Sequence, residues 1–379
     1  MENIVFYVHR TGLLNYFVEP ICTYLSTKYK ITVLHIDKRN KCCSMNFSSF
    51  DKIDISNFSI NKIKKLLKDL APTTVITLGF VSIYELLISR ITKSAELKLI
   101  YLEHGIFSKE TTNLSYIKIL TSFGNTVIKN VFFIFQYFLF AIQNKNTFKE
   151  MIILYQCLFY KKYYKIGFDK AIFFSNYGFQ NLNEYFNFTK QQIFFSGYPL
   201  VKSNQEYEDI QKRLLSDNDK NHRAIYIHQP FIKDNLVRWK YSDEKSFILN
   251  LAQEVNKSGL NFDLLIHPRE NIEFYRDLYK NTEINVLQNI KSTEMINYQL
   301  AIGHYSTALL FPIFFKIPIW IINYNNIHSQ TTSIFRELNT DLNNSIKSIN
   351  YEKYIDLFIG TKKCSFENVS NTIELAVKS

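Results

Sequence analysis

Three polar clusters each cut off a short apolar run. Phe262, Leu264, Leu265 and Ile266 lead into His267-Pro268-Arg269-Glu270, and Leu99-Ile100-Tyr101-Leu102 leads into Glu103-His104-Gly105. Leu300-Ala301-Ile302 gives way to Gly303-His304-Tyr305-Ser306-Thr307. An apolar run closed by a turn signal reads as a buried strand leaving its sheet. Pro268 has no N–H and confines His267 to extended geometry, which holds the imidazole at a strand's carboxyl end. His267 and Arg269 there offer N–H donors to an anion. Glu103 and His104 are candidate proton acceptors, and an imidazole needs little tuning to act as a base near neutral pH. Gly105 permits a tight turn and close approach of a ligand. Ser306 and Thr307 sit where strand gives way to helix. Hydroxyls and free N–H groups at a helix N-terminus hold an anion without a metal. Gln229, in His228-Gln229-Pro230 after another apolar run, joins this donor-binding set. Each cluster alone also has a plain structural account: a surface His before a turn, a capping Glu, an N-cap Ser.

The elements that must position these groups repeat one pattern. Strands are expected at 3–8, 31–36, 73–79, 98–102, 171–175 and 192–196, then at 223–227, 262–266, 283–287, 300–302 and 318–322. Helical patterns lie between them. Strands alternating with helices indicate a doubly wound α/β architecture, whose ligands bind at the carboxyl ends of the strands. His9-Arg10-Thr11-Gly12 after the first strand is not a GxGxxG fingerprint, so no dinucleotide is implied. A polar stretch from Lys202 to Arg223 separates the halves. The expectation is two domains: 1–200, with a helical insertion at about 114–166, and 222–379. If their strand ends face each other, a cleft forms with an anion clamp on one wall and a base on the other.

Composition narrows the partners. Of 379 residues, 46% are hydrophobic and 21% charged, with only 10 Gly and 7 Pro, which suits packed cores and argues against disorder. A net charge of +11 fits nucleic acid, an anionic membrane face or a phosphorylated substrate as partner, while solvated Lys on amphipathic helices account for most of these residues. No zinc-finger spacing and no long Arg-rich run occurs, so nucleic acid is not the expected one. The five Cys are odd in number, two are adjacent (Cys42, Cys43) and none form a CxxC, which excludes a disulfide framework and a zinc site. A reducing cytoplasm is expected. The chain opens on a strand pattern, Asn3–Val8, rather than on signal-peptide architecture. The apolar run Val131–Ile142 is 12 residues long, against about 20 for a spanning helix. A buried core helix and a helix lying in an anionic membrane surface are level readings of it, since Lys129, Lys145 and Lys149 flank it.

The ordered set is similar to a known family. His267-Pro268, Ser306-Thr307 some forty residues later, and an acidic-X-Gly motif at Glu103-His104-Gly105 together resemble the bacterial sialyltransferases and polysialyltransferases, and the related Kdo transferases. The resemblance covers roughly residues 100–310. It implies a GT-B glycosyltransferase: two Rossmann-like domains, a CMP-activated nonulosonic acid as donor, and a bacterial surface glycan or glycolipid as acceptor, of capsule or lipopolysaccharide type. It implies that His267 and Pro268 contact the CMP moiety and assist phosphate departure. Ser306 and Thr307, with Tyr305 beside them, would hold the phosphate, and Glu103 or His104 would be the base. No DxD motif lies beside these residues, so neither a metal nor another cofactor is expected. The family usually carries a second acidic residue where His104 stands. A His-Gly pair there also resembles the teichoic-acid polymerases, which transfer polyol phosphate from CDP-glycerol or CDP-ribitol. A third reading is a non-catalytic glycan- or membrane-binding protein on a decayed transferase fold. The expected location is cytoplasmic, peripheral on the inner face of the cell membrane.

Overall fold

The computed structural model describes residues 1–9, 13–36, 50–80, 82–105, 134–144, 147–160, 162–216, 222–233, 238–268, 270–290, 292–304, 307–322, 351–360 and 363–379. Arg10, Thr11, Gly12, Arg269, Tyr305, Ser306 and the 114–133 part of the expected insertion lie outside them. The chain forms two compact units, Met1–Asn204 with Gly360–Ser379, and Gln205–Ile359.

In the first unit, β1 (Asn3–Val8), α1 (Glu19–Leu25), β2 (Lys30–His35), β3 (Asp51–Asp54), α2 (Ile60–Leu70), β4 (Thr74–Thr77), α3 (Ile83–Ser94) and β5 (Lys98–Leu102) follow one another. Then come α4 (134–143), α5 (Thr147–Tyr160), β6 (Lys170–Phe173), α6 (Asn176–Phe186) and β7 (Ile193–Phe195). The strands make one parallel sheet in the order β3-β2-β1-β4-β5-β6-β7. Parallel strands need crossover helices, and these cover both faces. The period of two is visible in the packing. Val5, Tyr7, Val75, Leu99, Tyr101 and Phe173 enter one core, whereas Ile4, Phe6, Ile76, Ile100, Leu102 and Ile172 enter the other. The helix starts are written locally. Ser82 accepts the Glu85 N–H and the Glu85 carboxylate accepts the Ser82 N–H, a reciprocal cap on α3.

The second unit contains β8 (Arg223–Ile227), α7 (Tyr241–Lys257), β9 (Asn261–Leu265), α8 (Ile272–Tyr279), β10 (Asn285–Leu287), β11 (Leu300–Gly303), α9 (Leu310–Phe314) and β12 (Ile319–Ile321). Its parallel sheet has the order β10-β9-β8-β11-β12. The chain winds outward from β8 to β10 and then resumes on the other side at β11, so the order reverses between β8 and β11.

Two features depart from expectation. Edge strand β3 is half exposed and polar, without the apolar run by which the other strands are recognised. The expected second domain ran to Ser379, but the C-terminal helix (Phe366–Lys378) returns to the first unit. Its Val369, Ile373, Ala376 and Val377 join the core that contains Phe17, Ile21 and Leu25. Its N-cap Ser365 pairs with Val201, and the Leu200 and Val201 N–H groups donate to the Cys364 carbonyl. The apolar face of this helix finds its partner 350 residues upstream because α1 offers a matching one. Ile373 is fully buried there. Ile373→Ala should therefore cost about 2–5 kcal/mol of stability. Urea unfolding would show it as a lower midpoint, and an unchanged midpoint would detach the helix from this core.

Candidate active site

In the first unit the Glu103-His104-Gly105 loop leaves the sheet at the end of β5. The Glu103 N–H still donates to the Ile172 carbonyl, so the ladder continues one residue past the strand. That register turns the Glu103 side chain inward, where it is 3% exposed. Its carboxyl accepts the Phe174 N–H at 2.6 Å. Gly178 of α6 makes the room: a Cβ there would come within 2.1 Å of Glu103 Oε1. Burial pushes the Glu103 carboxyl up to about 8, against the opposing pull of the Phe174 N–H. At neutral pH it therefore holds its proton. His104, the next residue, is half-buried instead. Of the two candidate bases, the glutamate lies inside the fold and the imidazole at its edge.

In the second unit the three expected donor-site segments leave neighbouring strands. His267 follows β9 and is half-buried, and Pro268 is exposed. The turn closes when the Glu270 N–H donates to the His267 carbonyl at 2.9 Å. Gln229, just past β8, is buried, and its carbonyl accepts the Phe231 N–H. After β11, Thr307 opens a single 3₁₀ turn, Thr307–Leu309, that runs into the five-residue α9. The helix expected to point its N-terminus at an anion is thus short, with few aligned peptide dipoles.

Two further imidazoles flank the point where the strand order reverses, the crevice in which open α/β sheets bind ligands. His228, the first residue past β8, is 2% exposed, and His304, the first past β11, is buried likewise. His228 Nε2 lies 3.0 Å from Glu244 Oε1, and the Tyr275 hydroxyl donates to Glu244 Oε2 at 2.9 Å. Across the reversal, His304 Nε2 meets the Tyr226 hydroxyl at 2.9 Å. Burial pushes the His304 imidazole down to about 3, opposed by a hydrogen bond with the Ile322 backbone and reinforced by His228. His304 is therefore neutral. His228 Nδ1 is buried and has no hydrogen-bond partner among the described residues, a situation that typically costs about 1–3 kcal/mol. Sequence reasoning passed over both residues. The available signal was positional: each is a His directly after a strand that borders the reversal.

No group of three or more His, Cys, Asp or Glu suited to a metal occurs among the described residues.

This is the GT-B fold. A solved structure of the wall teichoic acid polymerase TagF matches with a TM-score of 0.55 at 14% identity, covering 100% of this chain and 89% of that one. A putative UDP-N-acetylglucosamine 2-epimerase from Listeria monocytogenes matches with 0.54 at 11% identity, covering 100% and 96%. The glycotransferase of kitacinnamycin matches with 0.51 at 8% identity, covering 99% and 94%. No protein-family profile matches the chain, and no curated protein does. The likeness is one of architecture.

The raised Glu103 value has a consequence for stability. The unfolded carboxyl titrates near its ordinary 4.5, so the folded state holds the proton more tightly. Stability from this group is fully present below that value and is lost as pH rises towards about 8. Each pH unit in that window removes up to about 1.4 kcal/mol. Glu103→Gln, which keeps an acceptor for the Phe174 N–H, should lose less stability than the parent when urea unfolding is compared at pH 6 and pH 9. Parallel losses in the two proteins would mean that Glu103 is not a buried proton carrier.

Proposed function

We propose that this chain is a metal-independent, inverting glycosyltransferase that moves a nonulosonic acid, of sialic acid or Kdo type, from a CMP-sugar to a hydroxyl of a bacterial surface glycan. The observation that carries this reading is the placement of half-buried imidazoles just past strand ends in both sheets of a GT-B fold: His104 after β5 and His267 after β9. His104 takes the proton of the attacking hydroxyl, because Glu103 is buried and already protonated at neutral pH. His267 donates to the departing phosphate, with Pro268 fixing its backbone. Tyr305, Ser306, Thr307 and Gln229 complete the donor site in this proposal. Displacement of the nucleotide by the acceptor in a single step inverts the sugar carbon and needs no metal.

A second reading has a specific observation behind it. With Glu103 withdrawn into the core, the base is a histidine followed by Gly105. That is the pattern of the teichoic-acid polymerases, and TagF is among the structures the chain is similar to. In this reading the donor is CDP-glycerol or CDP-ribitol and the transferred group a polyol phosphate.

The acceptor is taken to be membrane-linked, and two helices support a peripheral site on an anionic membrane. On α5, Phe148, Ile152 and Tyr155 share one outward face, with Phe148 82% exposed, while Glu150, Ile153, Leu154 and Cys157 point inward. On α4, Phe135, Phe138 and Ile142 are exposed at the same helical spacing. Lys149, Lys162 and Lys165 are exposed close by in the chain. Among the described residues no helix is long and apolar enough to cross a membrane. Apolar faces beside lysines suit a helix lying in the interface of anionic lipids.

Three experiments test these assignments. Incubated in EDTA with CMP-sialic acid or CDP-glycerol separately, the enzyme should release CMP from the first. Release from CDP-glycerol alone selects the polyol reading, and release from neither of these nor from CMP-Kdo rejects both donor readings. His104→Ala and His267→Ala should each lower turnover by roughly a hundredfold or more, and near-normal turnover removes that residue from the mechanism. For the surface, vesicles rich in phosphatidylglycerol should co-sediment the protein at low salt, phosphatidylcholine vesicles should not, and Phe148→Glu with Ile152→Glu should abolish the binding. Failure to bind anionic vesicles at low salt rejects the membrane site.

A further inference from the structure

The β8–β11 reversal is bordered by two buried histidines that differ in one respect. His304 is satisfied and neutral, with Nε2 at the Tyr226 hydroxyl and a hydrogen bond with the Ile322 backbone. His228 is only half satisfied. Its Nε2 is taken by Glu244, and Nδ1 has no partner among the described residues. Glu244 itself is held from the other side by the Tyr275 hydroxyl, and all the atoms of this relay are buried. A carboxylate that accepts from both neighbours fixes a proton on His228 Nε2. The remaining nitrogen then has two states: a lone pair in the neutral ring, an N–H donor in the imidazolium. Native folds rarely leave a buried polar atom unpartnered, and each such atom asks for a reason. Here the reason lies in position, since the atom belongs to the residue at the sheet's ligand-binding crevice.

We propose that His228 is a ligand-binding residue whose Nδ1 donates to a phosphate of the nucleotide donor, with the imidazolium bridging that phosphate to Glu244. The proposal rests on the nucleotide-donor reading given above and adds to it a residue and a linkage. An imidazolium between two anions is stabilised by both, so phosphate binding brings a proton with it. The charged and titratable groups facing the ring are Glu244 from α7, Tyr275 from α8, Tyr226 from its own strand and His304 from β11. Among the described residues facing the ring, only Glu244 is an anion placed to stabilise the bridging cation. The hydroxyls of Tyr226 and Tyr275 stay protonated because burial and Glu244 push them up. Nδ1 is closed to solvent, so the phosphate must displace the side chains packed over it. A phosphate in that place is dry, and the bridge is strengthened by the low local dielectric.

The test is the pH dependence of CMP binding to the whole chain by calorimetry between about pH 7 and pH 9, where the phosphate, with its second pKa near 6, stays dianionic. Affinity should fall with rising pH, by up to about tenfold per unit. His228→Gln should weaken CMP at pH 7 by about tenfold or more and remove that slope. Glu244→Gln should flatten it, and His267→Gln should weaken CMP while leaving the slope in place. Thermal unfolding without nucleotide checks that each variant is folded. If His228→Gln does not fold, ¹⁵N spectra of the histidine rings in the parent protein decide instead: CMP should convert Nδ1 of His228 to its protonated form. A flat profile in the parent, the same slope in His228→Gln, or an unchanged ring signal overturns the role of His228 while leaving a nucleotide donor standing. Absence of CMP, CDP, UDP and GDP binding at every pH overturns the donor reading and this inference together.

Discussion

Burial of parallel strands on both faces is the constraint from which the rest of this structure follows. A strand such as Asn3–Val8, with every residue buried, has nowhere to carry a charged side chain. Its backbone polar groups are spent in the ladder, and alternate side chains go to two separate cores. Chemistry can enter only where the ladder stops. The candidate residues obey this closely. Glu103 and His104 are the first and second residues past β5, His228 the first past β8, His267 the second past β9 and His304 the first past β11. The fold concentrates its imidazoles at the strands' carboxyl ends because that is the one edge where a polar side chain can be both held and reached.

Within that edge, one residue of register separates two kinds of group. Glu103, with its N–H still in the ladder, turns inward, and His104 turns towards the surface. The same step separates buried Ile266 from half-buried His267. Burial then acts on each titratable group with one rule and two signs. It disfavours the charged form, raising the Glu103 carboxyl and lowering the His304 imidazole. At neutral pH both are neutral, one by keeping a proton and the other by lacking one. Neither contributes a charge at that edge of its sheet.

The strands were legible in the sequence because two-faced burial writes continuous apolar runs. β3 escaped because Asp51–Asp54 is a polar, half-exposed edge that carries no such run. The destination of the C-terminal helix was not legible. Sequence shows that Val369, Ile373 and Ala376 share a face, but not that Phe17 and Ile21 will cover it. The site divides in the same way. His104 and His267 stand out because Gly105 and Pro268 punctuate them. The His228 relay is invisible, since its partners Glu244 and Tyr275 sit on two later helices and come together only through packing. Local punctuation is readable from one chain, whereas long-range pairing of polar atoms is not.

Of the apolar run Val131–Ile142, the described part lies in α4, which buries Tyr137, Phe140 and Ala141 and exposes Phe135, Phe138 and Ile142. In α5 the inward face carries Glu150, whose carboxylate takes two guanidinium bonds from Arg90 and one from the Tyr137 hydroxyl. Burying an ion pair is expensive in desolvation, and well-packed apolar side chains would serve stability as well or better. The outward face meanwhile exposes Phe148, Ile152 and Tyr155, which gain nothing from water. An ion pair inside and aromatics outside are consistent with a helix whose outer face meets a second apolar medium, and whose inner face is fixed in orientation by directional polar bonds. Both helices belong to the first unit, which in the proposed mechanism also carries the base that meets the acceptor.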